Sequence, residues 1–135
     1  MELPRPPSIL VVDDEPPVLF TLDYLLQRYG YAVTPASNGA EAIAHILRDY
    51  FDLLLIDLKL PDFSGLEIAR CAREHQPDAG ILIITGSTAF GGAPVEEQIA
   101  PFDCIVKTAS PQEVLERVAS AIEEHTKLAM TLVNQ

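Results

Sequence analysis

The sequence has only two cysteines and lacks a long apolar run, and these absences exclude several classes of protein. Cys71 and Cys104 lie far apart without the spacing of metal ligands, so we expect free thiols in a reducing cytoplasm. The apolar run near the N-terminus extends only from Ile9 to Val12, which is too short for the core of a signal peptide. The longest uncharged stretch, Ala79 to Val95, is broken by glycines and a proline, so it is not predicted to span a membrane.

Basic residues are scarce as well. Nine lysines and arginines stand against 20 aspartates and glutamates, which gives a formal net charge of −11. This balance argues against direct binding to nucleic acid or to an anionic membrane surface, although a fused partner domain could still provide such binding. With 135 residues, 48% of them apolar and 21% charged, the chain is predicted to form one globular domain without a stabilising disulfide or metal.

Short apolar runs alternate with helical patterns along the chain, which predicts an α/β fold with a doubly wound parallel sheet. The predicted strands are Ser8–Val12, Tyr31–Thr34, Asp52–Ile56, Gly80–Ile84 and Asp103–Val106. Helices fill the gaps, and the predicted N-caps are Asn38, Ser64 and Ser110. The fourth helix, at 95–100, is predicted to be short because the glycine-rich sequence before it is a poor helix former.

These elements divide the chain into an N-terminal extension at 1–7, one domain at 8–126, and a segment at 127–135 that either extends the last helix or begins a linker. The three histidines, His45, His75 and His125, fall at polar helical positions and are expected at the surface. Cys71 and Cys104 are interpreted as small packing residues.

Polar side chains follow the predicted strands directly: Asp13 and Asp14, then Asp57, Thr85 and Lys107. Because the carboxyl ends of parallel strands meet at one edge of a sheet, we expect these residues to converge. Close carboxylates repel by about 1–4 kcal/mol per pair, so the cluster should recruit a cation or raise a pKa. Oxygen ligands favour Mg²⁺, and a lysine with a threonine suits a phosphoryl group, with Asp57 as the candidate nucleophile.

The motifs Val11-Val12-Asp13-Asp14-Glu15, Asp57-Leu58-Lys59-Leu60-Pro61-Asp62-Phe63-Ser64-Gly65, Thr85-Gly86 and Lys107 resemble the receiver domain of two-component response regulators. The resemblance covers residues 9–125. It implies a flavodoxin-like, five-stranded parallel sheet with strand order 2-1-3-4-5 and five helices.

The resemblance also implies a metal site and a phosphoacceptor. Asp57 would accept a phosphoryl group from the phosphohistidine of a sensor histidine kinase or phosphotransfer protein, or from acetyl phosphate. Asp14 and Asp57 would bind Mg²⁺ (or Mn²⁺) directly. The backbone carbonyl of Lys59 would assist, and Asp13 would act through water.

Further residues would contact the phosphoryl group itself. The resemblance implies that the Thr85 hydroxyl and the Lys107 amine do so, with the backbone amides of Leu58 and Gly86 as additional donors. In the family, the positions that tune the lifetime of the acyl phosphate correspond here to Lys59 and Ser87. Phosphorylation would change the face made by the fourth helix, the fifth strand and the fifth helix, which would act on a downstream protein target or a fused output domain.

The chain departs from the family pattern in this output face. Cys104 replaces the usual switch aromatic, Thr108 replaces the proline after the lysine, and Ala100-Pro101 replaces a Gly-Ala pair. We therefore predict that output works through order and disorder of the segment Ser87–Pro94. Because no output domain fits after the last helix, we expect a stand-alone regulator or a module of a larger protein. A homodimer through the output face remains an open alternative.

Other functions are compatible with parts of this pattern. A degenerate receiver would bind partners without phosphorylation. A haloacid-dehalogenase-like phosphohydrolase would need an aspartate two residues after the nucleophile, where this chain has Lys59. A flavodoxin-type cofactor binder would need a hydroxyl-rich phosphate loop after the first strand, where Asp13-Asp14-Glu15 would repel a phosphate.

Overall fold

A five-stranded parallel sheet forms the centre of the protein. The computed structural model describes residues 5–86, 89–90 and 93–133, and the side chains of residues 5–86 and 97–126. The strands of the sheet are β1 (Ser8–Val12), β2 (Ala32–Ala36), β3 (Leu53–Asp57), β4 (Gly80–Thr85) and β5 (Asp103–Val106). They are ordered β2-β1-β3-β4-β5. This confirms the predicted α/β class and the strand order 2-1-3-4-5.

Five helices connect and cover the strands, as predicted. They are α1 (Pro16–Arg28), α2 (Gly39–Arg48), α3 (Gly65–His75), α4 (Val95–Ile99) and α5 (Pro111–Val133). An antiparallel hairpin of Ala89–Phe90 with Ala93–Pro94, which the sequence pattern did not predict, precedes the short α4. Helix α5 continues through residues 127–133, whereas the division of the chain into domains stays a prediction. No helix in the described part of the chain is long and apolar enough to cross a membrane.

Local side-chain bonds explain where the helices begin. The Asn38 side chain accepts a hydrogen bond from the Glu41 N–H at 2.8 Å. Ser64 and Ser110 cap α3 and α5 in the same manner, each at 3.1 Å. Each oxygen satisfies an N–H group that the first helical turn leaves without a partner. The three predicted N-caps are therefore confirmed.

The core fills both faces of the sheet. Alternate residues of β1 and β3 point to opposite sides, so that one side chain packs under α2 and α3 and the next under α1 and α5. All five residues of β3 are buried. Since the central strands are covered on both faces, their carboxyl ends hold the residues that follow them in fixed positions.

Candidate functional site

The predicted site residues converge at the carboxyl edge of the sheet. Asp57 is the last residue of β3 and Thr85 the last of β4, whereas Asp13 and Lys107 directly follow β1 and β5. Ligand atoms of Asp13, Asp14 and Asp57 all lie within 4.8 Å of one another. A cavity of about 340 Å³ opens here; its lining residues are Asp14, Glu15, Asp57, Leu58, Lys59, Thr85, Gly86 and Lys107.

Lys107 forms ion pairs with three carboxylates. Its Nζ lies 3.2 Å from Asp57 Oδ2 and 3.1 Å from Asp13 Oδ2. It also lies 2.8 Å from Glu15 Oε2, a contact that the sequence analysis missed. The only signal for Glu15 was its place directly after the aspartate pair. The lysine is predominantly buried, so these ion pairs bridge β1, β3 and β5 in a partly dry environment.

The electrostatics of the site favour an added cation. Burial, and next the charge of Asp13, raise the pKa of Asp57 from 3.8 to about 6. Burial also raises the pKa of Asp13. Burial opposes the charge of Lys107, but hydrogen bonds to Glu15 and Asp13 and the field of Asp57 raise its pKa above the ordinary value. The one lysine thus neutralises only part of the clustered negative charge.

One buried carboxylate oxygen in this cluster accepts no hydrogen bond. Asp13 is fully buried, and its Oδ1 accepts a hydrogen bond from the Glu15 N–H at 2.9 Å. Its Oδ2 is buried and accepts no hydrogen bond, although it lies near Lys107 Nζ. A buried oxygen of this kind among carboxylates fits a hard divalent cation such as Mg²⁺. Asp14 is exposed and borders the cavity.

The backbone around Asp57 differs from the prediction at one residue. The Leu58 N–H, predicted to contact a phosphoryl group, donates instead to Ile84 O at 2.9 Å and continues the β3–β4 ladder. The Lys59 N–H is the amide that faces the site, 3.3 Å from Asp57 Oδ1. A Cβ on Gly65 would lie 2.2 Å from Asp57 O, so only glycine allows this close approach of α3.

Of the remaining predicted residues, two line the cavity and one lies outside the described residues. The side chain of Lys59 is exposed, and Gly86 lines the cavity. Cys104 lies on β5 and, like Cys71, is not part of a disulfide and packs partly buried against the core. Ser87 lies outside the described residues, as does much of the segment Ser87–Pro94.

The prediction that His125 lies at the surface is wrong. The ring is buried. Its Nε2 lies 2.9 Å from the Tyr50 hydroxyl and 3.1 Å from Asp52 Oδ1, and its Nδ1 donates a hydrogen bond to the carbonyl oxygen of Asp78. The position follows buried Val118 by two helical turns, so the helical period placed it on the inner face of α5. This cluster lies at the opposite edge of the sheet from Asp57.

Comparisons with known proteins indicate the family of this chain. Residues 9–119 match the response regulator receiver domain family. The chain is 37% identical over 115 residues to the transcriptional regulatory protein ResD of Bacillus subtilis, covering 85% of this chain and 48% of that protein. It is 35% identical over 115 residues to the alginate biosynthesis transcriptional regulatory protein AlgB of Pseudomonas aeruginosa, covering 85% of this chain and 26% of that protein. The chain thus spans about a quarter to a half of the length of these relatives.

Solved structures with the same fold include members of this family. A CheY-like response regulator receiver domain protein from Methanospirillum hungatei gives a TM-score of 0.82 at 29% identity, covering 90% of this chain and 98% of that one. The response regulator TrrA from Thermotoga maritima, in complex with Mg(2+)-BeF, gives a TM-score of 0.74 at 33% identity, and the match covers 85% of this chain and 98% of that one. With the strand order and the acidic cluster, these matches show that the chain belongs to the response regulator receiver domain family of two-component systems.

Proposed function

We propose that this chain is a phosphorylatable receiver in which Asp57 accepts a phosphoryl group from a phosphohistidine. The observation that carries the proposal is the Asp57 carboxylate itself, which is 4% exposed, ends the central strand and lies 3.2 Å from Lys107 Nζ. A carboxylate oxygen attacks phosphorus as the bond from phosphorus to the donor nitrogen breaks. The leaving imidazole keeps the electron pair of that bond.

The carboxylates of Asp13, Asp14 and Asp57 would hold Mg²⁺ or Mn²⁺, with Asp13 acting through water and the Lys59 carbonyl assisting. The clustering of these carboxylates, whose charge Lys107 neutralises only in part, supports this assignment. The presence of Mg(2+)-BeF in the TrrA structure supports it further. When bound, the metal supplies positive charge beside the phosphoryl oxygens.

The other side chains of the cavity have separate tasks in this proposal. Lys107 neutralises charge on the transferred group, because its amine already lies between β1 and β3. The Thr85 hydroxyl and the amides of Lys59 and Gly86 donate hydrogen bonds to the phosphoryl oxygens. The side chains of Lys59 and Ser87 tune the lifetime of the acyl phosphate. Through these residues, the receiver assists its own phosphorylation and dephosphorylation.

The proposed donor is a sensor histidine kinase or a phosphotransfer protein of the cytoplasm. Output runs through the face of α4, β5 and α5, where Cys104 occupies the position of the usual switch aromatic. The relatives are transcriptional regulators longer than this chain, which supports a fused output domain or a downstream protein target. Homodimerisation through this face is the alternative arrangement.

Binding of beryllofluoride tests the proposal without requiring a long-lived phosphoryl group. We expect ¹⁹F NMR to detect a protein-bound beryllofluoride species only with Mg²⁺, and not in Asp57→Asn. The exposed Asp49→Asn is the matched control and should bind like the wild type. Absence of binding by the wild type would contradict the proposal and favour the degenerate receiver. Turnover of a phosphomonoester would instead favour the phosphohydrolase, and a flavin absorption spectrum the cofactor binder.

A further inference from the structure

A carboxylate in the loop after β3 caps a helix that is distant in sequence. Asp62 Oδ1 accepts a hydrogen bond from the Gly39 N–H at 2.8 Å, and Oδ2 accepts one from the Ala40 N–H at 2.9 Å. Asn38 caps the same turn through the Glu41 N–H. The start of α2 therefore has a local cap from its own sequence and a second cap from the β3–α3 loop.

The loop also packs closely against the start of α2. A Cβ on Gly39 would lie 2.6 Å from Phe63 Cδ2 and 2.9 Å from Asp62 Oδ1, closer than a real Cβ can approach. Gly39 is buried beneath these two residues. The absence of a side chain at position 39 thus allows the loop to rest on the helix backbone, where Asp62 can reach two N–H groups.

The same loop carries the backbone that faces Asp57. The Gly65 N–H donates to Leu58 O at 2.8 Å, and Lys59 forms an antiparallel bridge with Ser64. These bonds close the base of the loop, and Asp62 holds its tip. Lys59 lies at this closed base, three residues before Asp62, with its N–H 3.3 Å from Asp57 Oδ1.

We propose that Asp62 is a positioning residue that fixes the Lys59 main chain beside Asp57 by capping α2. This inference rests on the proposed function, which assigns the Lys59 carbonyl to the metal and the Lys59 N–H to the phosphoryl group. Asp62 itself is exposed and is not part of the carboxylate cluster of Asp13, Asp14 and Asp57. It acts through the loop and not by contact with a ligand.

Asn38→Ala is the matched control for Asp62→Ala, because both substitutions remove capping oxygens from the same helix end and only one of them releases the loop. We expect both to lower the urea midpoint of unfolding. In NMR titrations with Mg²⁺, Asp62→Ala should raise the Kd about tenfold, as loss of a group that orients a metal ligand commonly does. Asn38→Ala should leave the Kd within about twofold, and Asp62→Asn, which keeps one of the two acceptor oxygens, should give a Kd between those of the wild type and Asp62→Ala.

Amide exchange in the metal-free protein gives a readout that does not depend on metal binding. Exchange at Lys59 and Ser64 should accelerate in Asp62→Ala and stay unchanged in Asn38→Ala. Gly39→Ala, which inserts a methyl group beneath Phe63, should reproduce both effects of Asp62→Ala. Equal Mg²⁺ affinity and equal exchange in the two capping variants would overturn this inference. A wild type that fails to bind Mg²⁺ would overturn the proposed function, while exchange at Lys59 would still decide the role of Asp62.

Discussion

Asp57 gives the metal-free protein a definite dependence of stability on pH. Its pKa is raised from 3.8 to about 6 because burial, and then Asp13, disfavour the ionised form. The folded state therefore retains this proton to higher pH than the unfolded state does. The contribution to the free energy of unfolding is fully present below about pH 4 and is lost as pH rises through about 6, a loss on the order of 1–3 kcal/mol.

Urea unfolding in EDTA at several pH values between about 4 and 7 measures this loss. Asp57→Asn cannot ionise, so it should become more stable than the wild type as pH rises, with the two proteins converging near pH 4. A stability difference that stays constant across this range would contradict the raised pKa of Asp57.

Single residues differ in how well the sequence predicts their roles. Asp13, Asp57 and Lys107 were predictable because each directly follows an apolar strand, and parallel strands end at one edge. Asp62 and His125 were not, since their partners lie 22 to 23 and 47 to 75 residues away and only the folded chain brings them together. The Leu58 amide was predicted to face the phosphoryl group, but its N–H closes the last pair of the β3–β4 ladder by donating to Ile84 O, which the sequence pattern does not reveal.

Hydrogen bonds of His125 with Tyr50, Asp52 and Asp78 hold helix α5 against the amino-terminal edge of the sheet. Burial, and next the charges of Asp52 and Asp78, raise the pKa of Tyr50 to about 12, so the tyrosine remains a neutral partner of His125 across the physiological range. We expect His125→Ala to lower the free energy of unfolding by about 1–3 kcal/mol, because it removes a buried ring and its hydrogen bonds to Tyr50, Asp52 and Asp78. Urea unfolding measures this change.

His75, which is exposed at the end of α3, provides the control for the His125 substitution. His75→Ala should change the free energy of unfolding by no more than about 0.5 kcal/mol. In His125→Ala, amide exchange should accelerate in the second half of α5. The amides of β3 should keep most of their protection. Unchanged exchange along α5 would show that the cluster does not hold the helix.

Element boundaries followed the sequence where local chemistry decided them. The N-caps of α2, α3 and α5 lie where capping residues predicted, and α4 is short. Strand β2 extends beyond its predicted end through Pro35, which pairs with Val11. Proline is tolerated there because β2 is an edge strand and needs hydrogen bonds on one side only. The hairpin before α4 escaped prediction because its strands have two residues each.

At the scale of the whole molecule, two ends of one sheet serve different purposes. The carboxyl edge collects the carboxylates, Lys107 and the cavity, whereas the amino edge holds the His125 cluster that fastens α5. The alternation of elements predicts the doubly wound class, but the strand order came from family resemblance, since periodicity does not determine which strands are neighbours. The net charge of −11 opposes direct binding of this chain to nucleic acid.

The central claim, that Asp57 accepts a phosphoryl group with the help of a divalent cation, is tested most directly by intact mass spectrometry. The protein is incubated with acetyl phosphate and Mg²⁺, beside a sample with EDTA and the variants Asp57→Asn and Asp49→Asn. We predict the gain of one phosphoryl group in the wild type and in Asp49→Asn, only with Mg²⁺, and none in Asp57→Asn. An equal gain in Asp57→Asn, or in EDTA, would contradict the claim.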